Sequence, residues 1–273
     1  MTSKPLILAC GHIETTIAPH RGAIVTSLRI DGRELLYFDE ATFNDPAKNV
    51  RGGIPLLFPT PGKLENDLWS YGSQSGTLPQ HGFARNLPWT IEATGESSAT
   101  LLLSSSDVTR SAYPWDFEAR LTYAVSPNSL RIELVVKNAS ESPMPFAFGL
   151  HPYFLVRNKA KARIPTSATR AFDNVSKTTV PFSGFDLTAN EVDLHLIDHG
   201  STRGILDLGD GVQIAIDTSP EFIRWVVWTV AGKDYVCLEP WTAPGNALNT
   251  GEGIILLPPQ ETRALWVTIS TFQ

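Results

Sequence analysis

Three short segments each place an ionisable side chain among aromatic residues, glycine and proline. They are His81 in the sequence HGFAR, His151 in LHPYF and Glu239 in LEPW. An ionisable group among apolar neighbours is costly to bury unless it is paired or has a chemical task. Two imidazoles and one carboxylate suffice to move protons on and off a neutral substrate near neutral pH. With aromatic faces beside them, these groups predict an acid–base site for a sugar-like ring, if the fold brings them together.

Each of these groups also has a purely structural explanation. A buried histidine can be satisfied by backbone groups, and a buried carboxylate can pair with an arginine. Strand alternation places Cys237 and Glu239 on one face of residues 235–241, and Val236 and Leu238 on the other. From the residues alone, both the catalytic and the structural role of each group stay open.

Two arginines are candidates for ligand binding. Arg51, in the sequence RGGIP, and Arg85 lie beside glycine or small residues that let a ligand approach the backbone. The guanidinium fork suits vicinal hydroxyls, a carboxylate or a phosphate. An ordinary salt bridge is the alternative for each.

No metal or cofactor site is expected. His195 and His199 have the spacing of a helical zinc pair, but the residues between them supply no glutamate base at the expected place. That region also predicts strand and turn rather than helix. The sequence contains no CxxC motif and no phosphate-binding glycine loop of the Walker type.

The elements that must position these groups are β-strands. Apolar and polar residues alternate over 117–125 and 130–136, and Ser126-Pro127-Asn128 predicts the turn between the two strands. Asp31-Gly32 and the sequence GDG at 209–211 predict two further tight hairpins. No window of fifteen residues shows a helical stripe. We therefore expect an all-β fold, a large antiparallel β-sandwich with few short helices.

Three longer segments resist assignment to strands, namely 39–80, 158–187 and 242–253. Loops of more than about 15 residues without structure of their own are usually functional. Two of these segments lead into or out of the three ionisable motifs. No repeat or linker divides the chain, so we expect one domain over residues 1–273.

Composition narrows the class of protein. The chain has 273 residues, a formal net charge of −6 and 18% charged residues, and no extended basic run, which argues against a nucleic-acid partner. A mildly acidic surface repels anions at long range, so any phosphate site would have to be local. Two cysteines, Cys10 and Cys237, make no disulfide framework.

The start of the chain resembles a lipoprotein cleavage box only superficially. The apolar stretch at residues 6–9, before Cys10, is too short for a signal peptide and predicts the first strand. No apolar run approaches the roughly 20 residues that span a bilayer. We expect a cytoplasmic protein without a membrane partner.

Taken in order, five motifs resemble those of the aldose 1-epimerase (galactose mutarotase-like) family, over nearly the whole chain from about residue 51 to 261. They are RGGIP at 51–55, HGFAR at 81–85, LHPYF at 150–154, EPW at 239–241 and LPPQE at 257–261. The resemblance implies a large antiparallel β-sandwich whose concave face holds the sugar. It also implies catalysis without a metal, a cofactor or a covalent intermediate.

The resemblance further implies roles for individual residues. Glu239 matches the carboxylate that takes the proton from the anomeric hydroxyl, and His151 matches the histidine that protonates the ring oxygen. His81 matches a second histidine beside it. Asp193 is a candidate for a family aspartate that binds ring hydroxyls. The expected reaction is interconversion of the α and β anomers of an aldohexose.

The substrate is less well defined than the reaction. Arg51 and Arg85 resemble the branch that acts on hexose 6-phosphates, but residues 56–59 lack that branch's cysteine-tryptophan pair. The surroundings of His151 and Glu239 resemble the free-sugar enzymes, so we favour a free aldose over a hexose 6-phosphate. The partner expected is a small-molecule sugar or sugar phosphate, bound by a monomer or homodimer.

Two further classes stay as alternatives. A non-catalytic carbohydrate-binding protein would keep the aromatic residues but would have no reason to hold both histidines and Glu239. A glycoside hydrolase generally needs two carboxylates across the scissile bond, and only Glu239 is embedded in apolar sequence.

Overall fold

The structure, a computed structural model, describes residues 4–272 and consists mainly of antiparallel strands in this range. Its α-helices are short: α1 (Glu40–Asn44), α2 (Asp107–Ala112) and α3 (Ala247–Thr250), with 3-10 turns at Glu65–Asp67 and Ala84–Asn86. The strands of the described chain, in order, are β1 (Leu6–Cys10), β2 (Ile13–Ala18), β3 (Ile24–Ile30), β4 (Arg33–Glu34), β5 (Leu56–Leu57), β6 (Leu68–Tyr71), β7 (Gln74–Thr77), β8 (Thr90–Thr94), β9 (Ser98–Ser104), β10 (Phe117–Ser126), β11 (Ser129–Asn138), β12 (Met144–Phe146), β13 (Gly149–Leu150), β14 (Tyr153–Leu155), β15 (Arg170–Asp173), β16 (Thr178–Pro181), β17 (Glu191–Leu196), β18 (Arg203–Asp207), β19 (Gln213–Thr218), β20 (Arg224–Val230), β21 (Tyr235–Trp241), β22 (Ile255–Leu257) and β23 (Thr262–Phe272).

One layer is a seven-stranded sheet in the order β18-β19-β23-β11-β10-β9-β8. At its centre β10 and β11 pair antiparallel from Phe117↔Asn138 to Ser126↔Ser129. Burial alternates strictly along both strands, because one face packs on the core and the other meets water. The predicted alternation and the predicted turn at 126–128 are confirmed.

The opposite layer is an eight-stranded sheet in the order β16-β15-β17-β20-β21-β13-β5, with β14 pairing beside β21. All seven residues of β21 are buried. Val236 and Leu238 enter the main core, whereas Cys237 packs with Tyr153 and Tyr235 on the other face. The structure therefore agrees with the alternation expected for this strand.

A continuous hydrophobic core joins the two sheets. It takes Leu134 and Val267 from the seven-stranded sheet and Val227 and Leu238 from the eight-stranded sheet. It also takes residues from a four-stranded sheet, β1-β2-β3-β4. Sheet-on-sheet packing about this core gives the antiparallel β-sandwich that the sequence predicts.

The predicted hairpins are present, with one shortened strand. Asp31 and Gly32 both have positive φ, +52° and +75°, as a type I′ turn requires. The strand expected at 34–38 is reduced to β4, followed by isolated bridges at Leu36 and Phe38. The GDG turn joins β18 to β19 as expected.

The long segments are not free of strands, so that expectation was wrong in part. Segment 39–80 contains the β6–β7 hairpin, and segment 158–187 contains β15 and β16. Segment 242–253 holds α3 and no strand of the described chain. All three segments contribute side chains to a cavity against the eight-stranded sheet.

Two smaller expectations concern the cysteines and the membrane. Cys10 and Cys237 are both free thiols, and β1 occupies the place of the apolar start. Among residues 4–272, none of the helices has the length and apolar character needed to cross a bilayer.

Candidate active site

A cavity of about 1180 Å³ lies on the face of the eight-stranded sheet that carries Glu239. Its lining includes five of the predicted site residues, Arg51, His81, His151, Asp193 and Glu239. Arg85 is not among its lining residues. The fold thus brings together both histidines and the carboxylate from three distant segments.

Glu239, near the end of β21, is only 1% exposed. The indole Nε1 of Trp241 donates a hydrogen bond to its Oε2 at 3.1 Å, and its Oε1 lies 3.3 Å from Nδ1 of His151. Burial raises the pKa of this carboxyl well above its usual range, and the charge of Asp193 raises it further. When ionised, Glu239 is therefore a stronger base than an ordinary carboxylate.

His151 lies between β13 and β14, and its backbone N–H donates to the carbonyl of Pro55 at 3.0 Å. Its ring stacks on Tyr153, with centroids 4.6 Å apart and planes 8° from parallel. Burial lowers the pKa of this imidazole, and the charges of Arg85 and Arg51 lower it further. An imidazolium with a lowered pKa is a strong proton donor.

The two groups form a coupled pair. Because the two side chains are 3.3 Å apart, the protonation state of each changes the pKa of the other. The pKa values that a pH–rate profile reports therefore describe the pair and not either residue alone. The 3.3 Å approach lacks hydrogen-bond geometry: Nδ1 of His151 is buried without a hydrogen-bond partner in the described chain. The arrangement places a carboxyl and an imidazole side by side on one cavity wall.

His81 has a defined tautomer. Its Nδ1 accepts a hydrogen bond from the backbone N–H of Gly62 at 3.0 Å, so the ring proton is on Nε2. The ring is edge-on to His151 and Trp241, with centroid distances of 5.6 and 5.8 Å. Burial first, then the charge of Arg85, lower its pKa well below the ordinary value. His81 is thus a neutral donor through Nε2.

The backbone holds His81 in an unusual conformation. Its φ is +70°, which is uncommon for a residue with a side chain. Its N–H donates to the carbonyl of Gly62 at 2.7 Å. The following residue, Gly82, passes so close to Phe58 that a Cβ there would meet the Phe58 carbonyl oxygen at 2.2 Å. The backbone contacts with Gly62 and Phe58 therefore fix the position of the His81 imidazole.

Asp193 lies on β17, opposite Trp228 of β20. Its Oδ2 accepts a hydrogen bond from the side-chain amide of Asn174 at 2.7 Å, and its Oδ1 lies 3.2 Å from Nε2 of His195. The carboxylate is half-buried and faces the cavity, as a residue that binds hydroxyls requires.

His195 is a cavity residue that sequence reasoning missed. It is 5% exposed, lines the cavity and lies edge-on to Trp241 at 5.1 Å between centroids. Strand alternation with Asp193 was the signal that could have found it. His199 lies elsewhere, held by the carbonyl of Ile223 and the N–H of Ser201, so the two histidines do not form a zinc pair.

The arginines at the cavity differ in their partners. Arg51 lies over the ring of Trp228 at 5.2 Å and donates to the Tyr153 hydroxyl at 3.5 Å, and within residues 4–272 no carboxylate forms an ion pair with it. By contrast, Arg170 pairs with Asp198 at 3.8 Å, and Arg224 pairs with Glu252. Arg51 therefore presents an uncompensated charge to the cavity.

Arg85 does not line the cavity, so the structure does not place it where the predicted role in ligand binding requires. Its guanidinium donates to the carbonyl of Gln80 at 2.9 Å, and its Nε is buried without a hydrogen-bond partner in the described chain. Burial lowers its pKa to about 10. The pair of arginines expected to face a ligand is thus represented in the cavity by Arg51 alone.

Comparison with known proteins identifies the family of this chain. The sequence model of the family described as aldose 1-epimerase matches residues 8–270. The plasmid protein LacX of Lactococcus lactis is 28% identical, over 89% of each chain. A Cenchrus ciliaris protein named "Putative glucose-6-phosphate 1-epimerase" is 26% identical, over 80% of this chain and 72% of its own.

Solved structures show the same fold. The Slr1438 protein of Synechocystis sp. PCC 6803 has a TM-score of 0.94 and 36% identity, over 99% of this chain and 97% of its own. A galactose mutarotase-like protein from Lactobacillus casei has a TM-score of 0.83 and 20% identity, over 98% and 100%. With a family match over nearly its whole length, the chain belongs to the aldose 1-epimerase family of isomerases.

Proposed function

We propose that this protein interconverts the α and β anomers of an aldohexose, with Glu239 as the base and His151 as the acid. The observation that carries the proposal is the 3.3 Å approach of His151 Nδ1 to Glu239 Oε1 in the cavity wall. Because both groups line one cavity at this separation, they are placed to act on neighbouring atoms of a single sugar ring. Glu239 lies in β21, and His151 lies in the two-residue link between β13 and β14, so paired strands of one sheet hold both groups in position better than mobile loops would.

Each proton and electron pair has a destination in this reaction. Glu239 takes the proton of the anomeric hydroxyl, and the freed electron pair forms the aldehyde double bond. The bond from C1 to the ring oxygen breaks, and that oxygen takes a proton from His151. Rotation about C1–C2 exposes the other carbonyl face. Ring closure then returns one proton to His151 and moves the other from Glu239 to the new anomeric hydroxyl.

The remaining cavity residues position the ring. The Nε2–H of His81 is a neutral donor beside His151, suited to an oxygen of the substrate. Asp193 accepts from ring hydroxyls, and Trp241 offers an apolar face while binding Glu239. A glycoside hydrolase would need a second free carboxylate. Of the carboxylates that line this cavity, Glu239 alone is buried, whereas Asp193 is half-buried and the glutamates are exposed (Glu65, Glu191 and Glu252), so hydrolysis is less well supported.

A hexose 6-phosphate is a second candidate substrate. The uncompensated charge of Arg51 supports it, and so does the printed name of the Cenchrus ciliaris relative. The free aldose is supported by the net charge of −6 and by the position of Arg85 outside the cavity lining. We favour the free aldose.

Polarimetry on fresh α-glucose, α-galactose and α-glucose 6-phosphate tests both points. Acceleration of none of the three would overturn the proposed activity. If a phosphate is bound, Arg51→Ala should lower kcat/KM for the phosphorylated sugar roughly ten- to a hundredfold, since a charge-assisted contact is worth about 1.5–3 kcal/mol.

Arg170→Ala is the matched control, because that arginine lies at the same cavity but pairs with Asp198. A free-aldose enzyme should show little difference between the two variants on glucose. A large preference for glucose 6-phosphate that disappears only in Arg51→Ala would replace our choice of substrate.

A further inference from the structure

Cys237 is a buried thiol that the proposed reaction does not use. It lies two residues before Glu239 on the same face of β21, opposite Tyr153 of β14 and Trp228 of β20. It is 0% exposed. One donor atom each from His151, Cys237 and Glu239 lie within 4.8 Å of one another. The catalytic pair therefore has a thiol as its third neighbour.

The donor atoms have the chemistry of a zinc site. An imidazole nitrogen, a thiolate and a carboxylate oxygen are the ligands that Zn²⁺ takes in proteins, at about 2.0–2.3 Å. Ligand atoms of one tetrahedral zinc are consequently roughly 3.3–3.7 Å apart. His151 Nδ1 and Glu239 Oε1 already have this separation, at 3.3 Å. All three donor atoms lie within 4.8 Å of one another, about 1 Å beyond the separation of ligands on one zinc ion.

Independent evidence comes from the unsatisfied histidine nitrogen. Nδ1 of His151 is buried without a hydrogen-bond partner in residues 4–272, and the residue is 7% exposed. A buried polar atom without a partner is costly. Glu239 binds Trp241 through Oε2, so Oε1 is free for a second ligand. His151 Nδ1 and Glu239 Oε1 are therefore both available to bind a metal ion placed between them.

Charge and access also suit a divalent cation. One carboxylate and one thiolate balance the two positive charges of zinc, so the buried ion adds no net charge. Burial raises the pKa of both the Cys237 thiol and the Glu239 carboxyl, and both protons leave to solvent as the metal binds. His151 and Glu239 line the cavity, which gives the ion an entrance, whereas Cys237 is fully buried and is not among the lining residues.

We propose that His151, Cys237 and Glu239 form a binding site for Zn²⁺ and that a bound zinc ion switches off the isomerase by occupying its acid and its base. The binding stands on the geometry alone. The inhibition rests on the proposed function, because it requires that His151 and Glu239 carry the reaction.

The test uses Cys10→Ser as the reference protein, because Cys237 is then the only cysteine in the sequence. We expect Cd²⁺ to produce an ultraviolet thiolate-to-cadmium absorption band, saturating at one ion per chain. Zn²⁺ should displace cadmium and slow mutarotation, and EDTA should restore the rate. No cadmium band in this protein would overturn the proposal, whatever the variants do.

Cys10→Ser/Cys237→Ser is the decisive variant. We expect it to keep most of its mutarotation rate in EDTA, to lose the band, and to need at least about 10–100-fold more zinc for inhibition, since even outer-shell changes cost that much metal affinity. Unchanged zinc sensitivity in this variant would overturn the site. If the variant does not fold, Cys10→Ser/Cys237→Ala gives the same comparison, with circular dichroism to check folding.

The design separates the two claims. Cadmium binding without activity on any sugar would leave the metal site standing and overturn the proposed function. Cadmium binding to an active enzyme that zinc does not inhibit would overturn the switch.

Discussion

The two large sheets follow the same alternation but treat their second face differently. In the seven-stranded sheet, charged residues of β10 and β11 point to water and pair there, Arg120 with Glu118 at 2.7 Å and Arg131 with Glu133 at 2.8 Å. In the eight-stranded sheet, the long segments cover the second face and Glu239 is buried. The difference between the sheets is therefore what covers the side chains, not how the strands are patterned.

The effect on chemistry is visible in two glutamates. A hydrogen bond from Arg120 lowers the pKa of Glu118, a half-buried carboxylate at the water-facing side of the sheet. Burial raises the pKa of Glu239. Exposed ion pairs contribute little to stability, whereas a desolvated carboxylate beside an imidazole is suited to proton transfer. The covered face of an otherwise regular sheet carries the candidate active site.

The largest expected effect is on catalysis at the covered face. Glu239→Gln and His151→Ala should each slow anomer interconversion by about 10²–10⁴-fold, the usual contribution of a positioned acid or base. Polarimetry on the folded variants measures this. Glu118→Gln, in the other sheet, is the matched control and should keep the wild-type rate. A folded Glu239→Gln protein as fast as wild type would remove the base assignment.

The next largest expected effect is a loss of stability, without a loss of activity, from a core substitution in the seven-stranded sheet. Leu134→Ala should lower the free energy of unfolding by about 2–5 kcal/mol, because it leaves a cavity in the core. Denaturant titration gives this value. The rate per folded molecule should change little, since Leu134 does not line the cavity. A loss of rate comparable to that of His151→Ala would mean that the two sheets are not separable in function.

The pH dependence should show a broad plateau. The singly protonated His151–Glu239 pair is the active form, and its members have pKa values shifted in opposite directions, the histidine down and the glutamate up. The rate should therefore fall about tenfold per pH unit only outside a wide range, with the acid limb below the ordinary histidine pKa of about 6.5. A narrow optimum, measured from initial rates corrected for the buffer reaction, would contradict this pair.

The smallest predicted effect is a gain in stability. A glutamate whose pKa is raised in the folded protein contributes stability at low pH that is lost as pH rises through the folded-state pKa. Glu239→Gln removes that loss, so the variant should be more stable than wild type by about 0.5–2 kcal/mol at alkaline pH. Thermal unfolding at several pH values tests the sign. The difference should shrink towards acid pH, and one that grows there would show the carboxyl to be ionised at low pH.

The sequence predicted the strands that have one face on the core and the other exposed to solvent. Residues 117–136 and the 126–128 turn match the structure because water on one side imposes strict alternation. The β6–β7 and β15–β16 hairpins were missed because short, polar strands such as Gln74–Thr77 carry no such pattern. Neighbours distant in the chain, such as β19 beside β23, depend on the tertiary fold and leave no local signal.

For the site, the sequence predicted which residues take part better than it predicted where their side chains point. His81, His151, Asp193 and Glu239 all reach the cavity. Arg85 does not, because the nearby carbonyl of Gln80 takes its guanidinium, and no motif encodes that choice of rotamer. His195 was considered only for its spacing to His199, although its alternation with Asp193 was the informative relation.

The tight passage of Gly82 against Phe58 has a consequence for how substitutions in this protein would be interpreted. Gly82 has no functional group, yet any side chain there must displace a backbone carbonyl and, with it, the neighbouring imidazole of His81. In a mutational scan read out by activity, position 82 should tolerate as few substitutions as position 81. Loss of activity on substitution of Gly82 would then reflect the displacement of His81, and it would not show that Gly82 itself takes part in the chemistry.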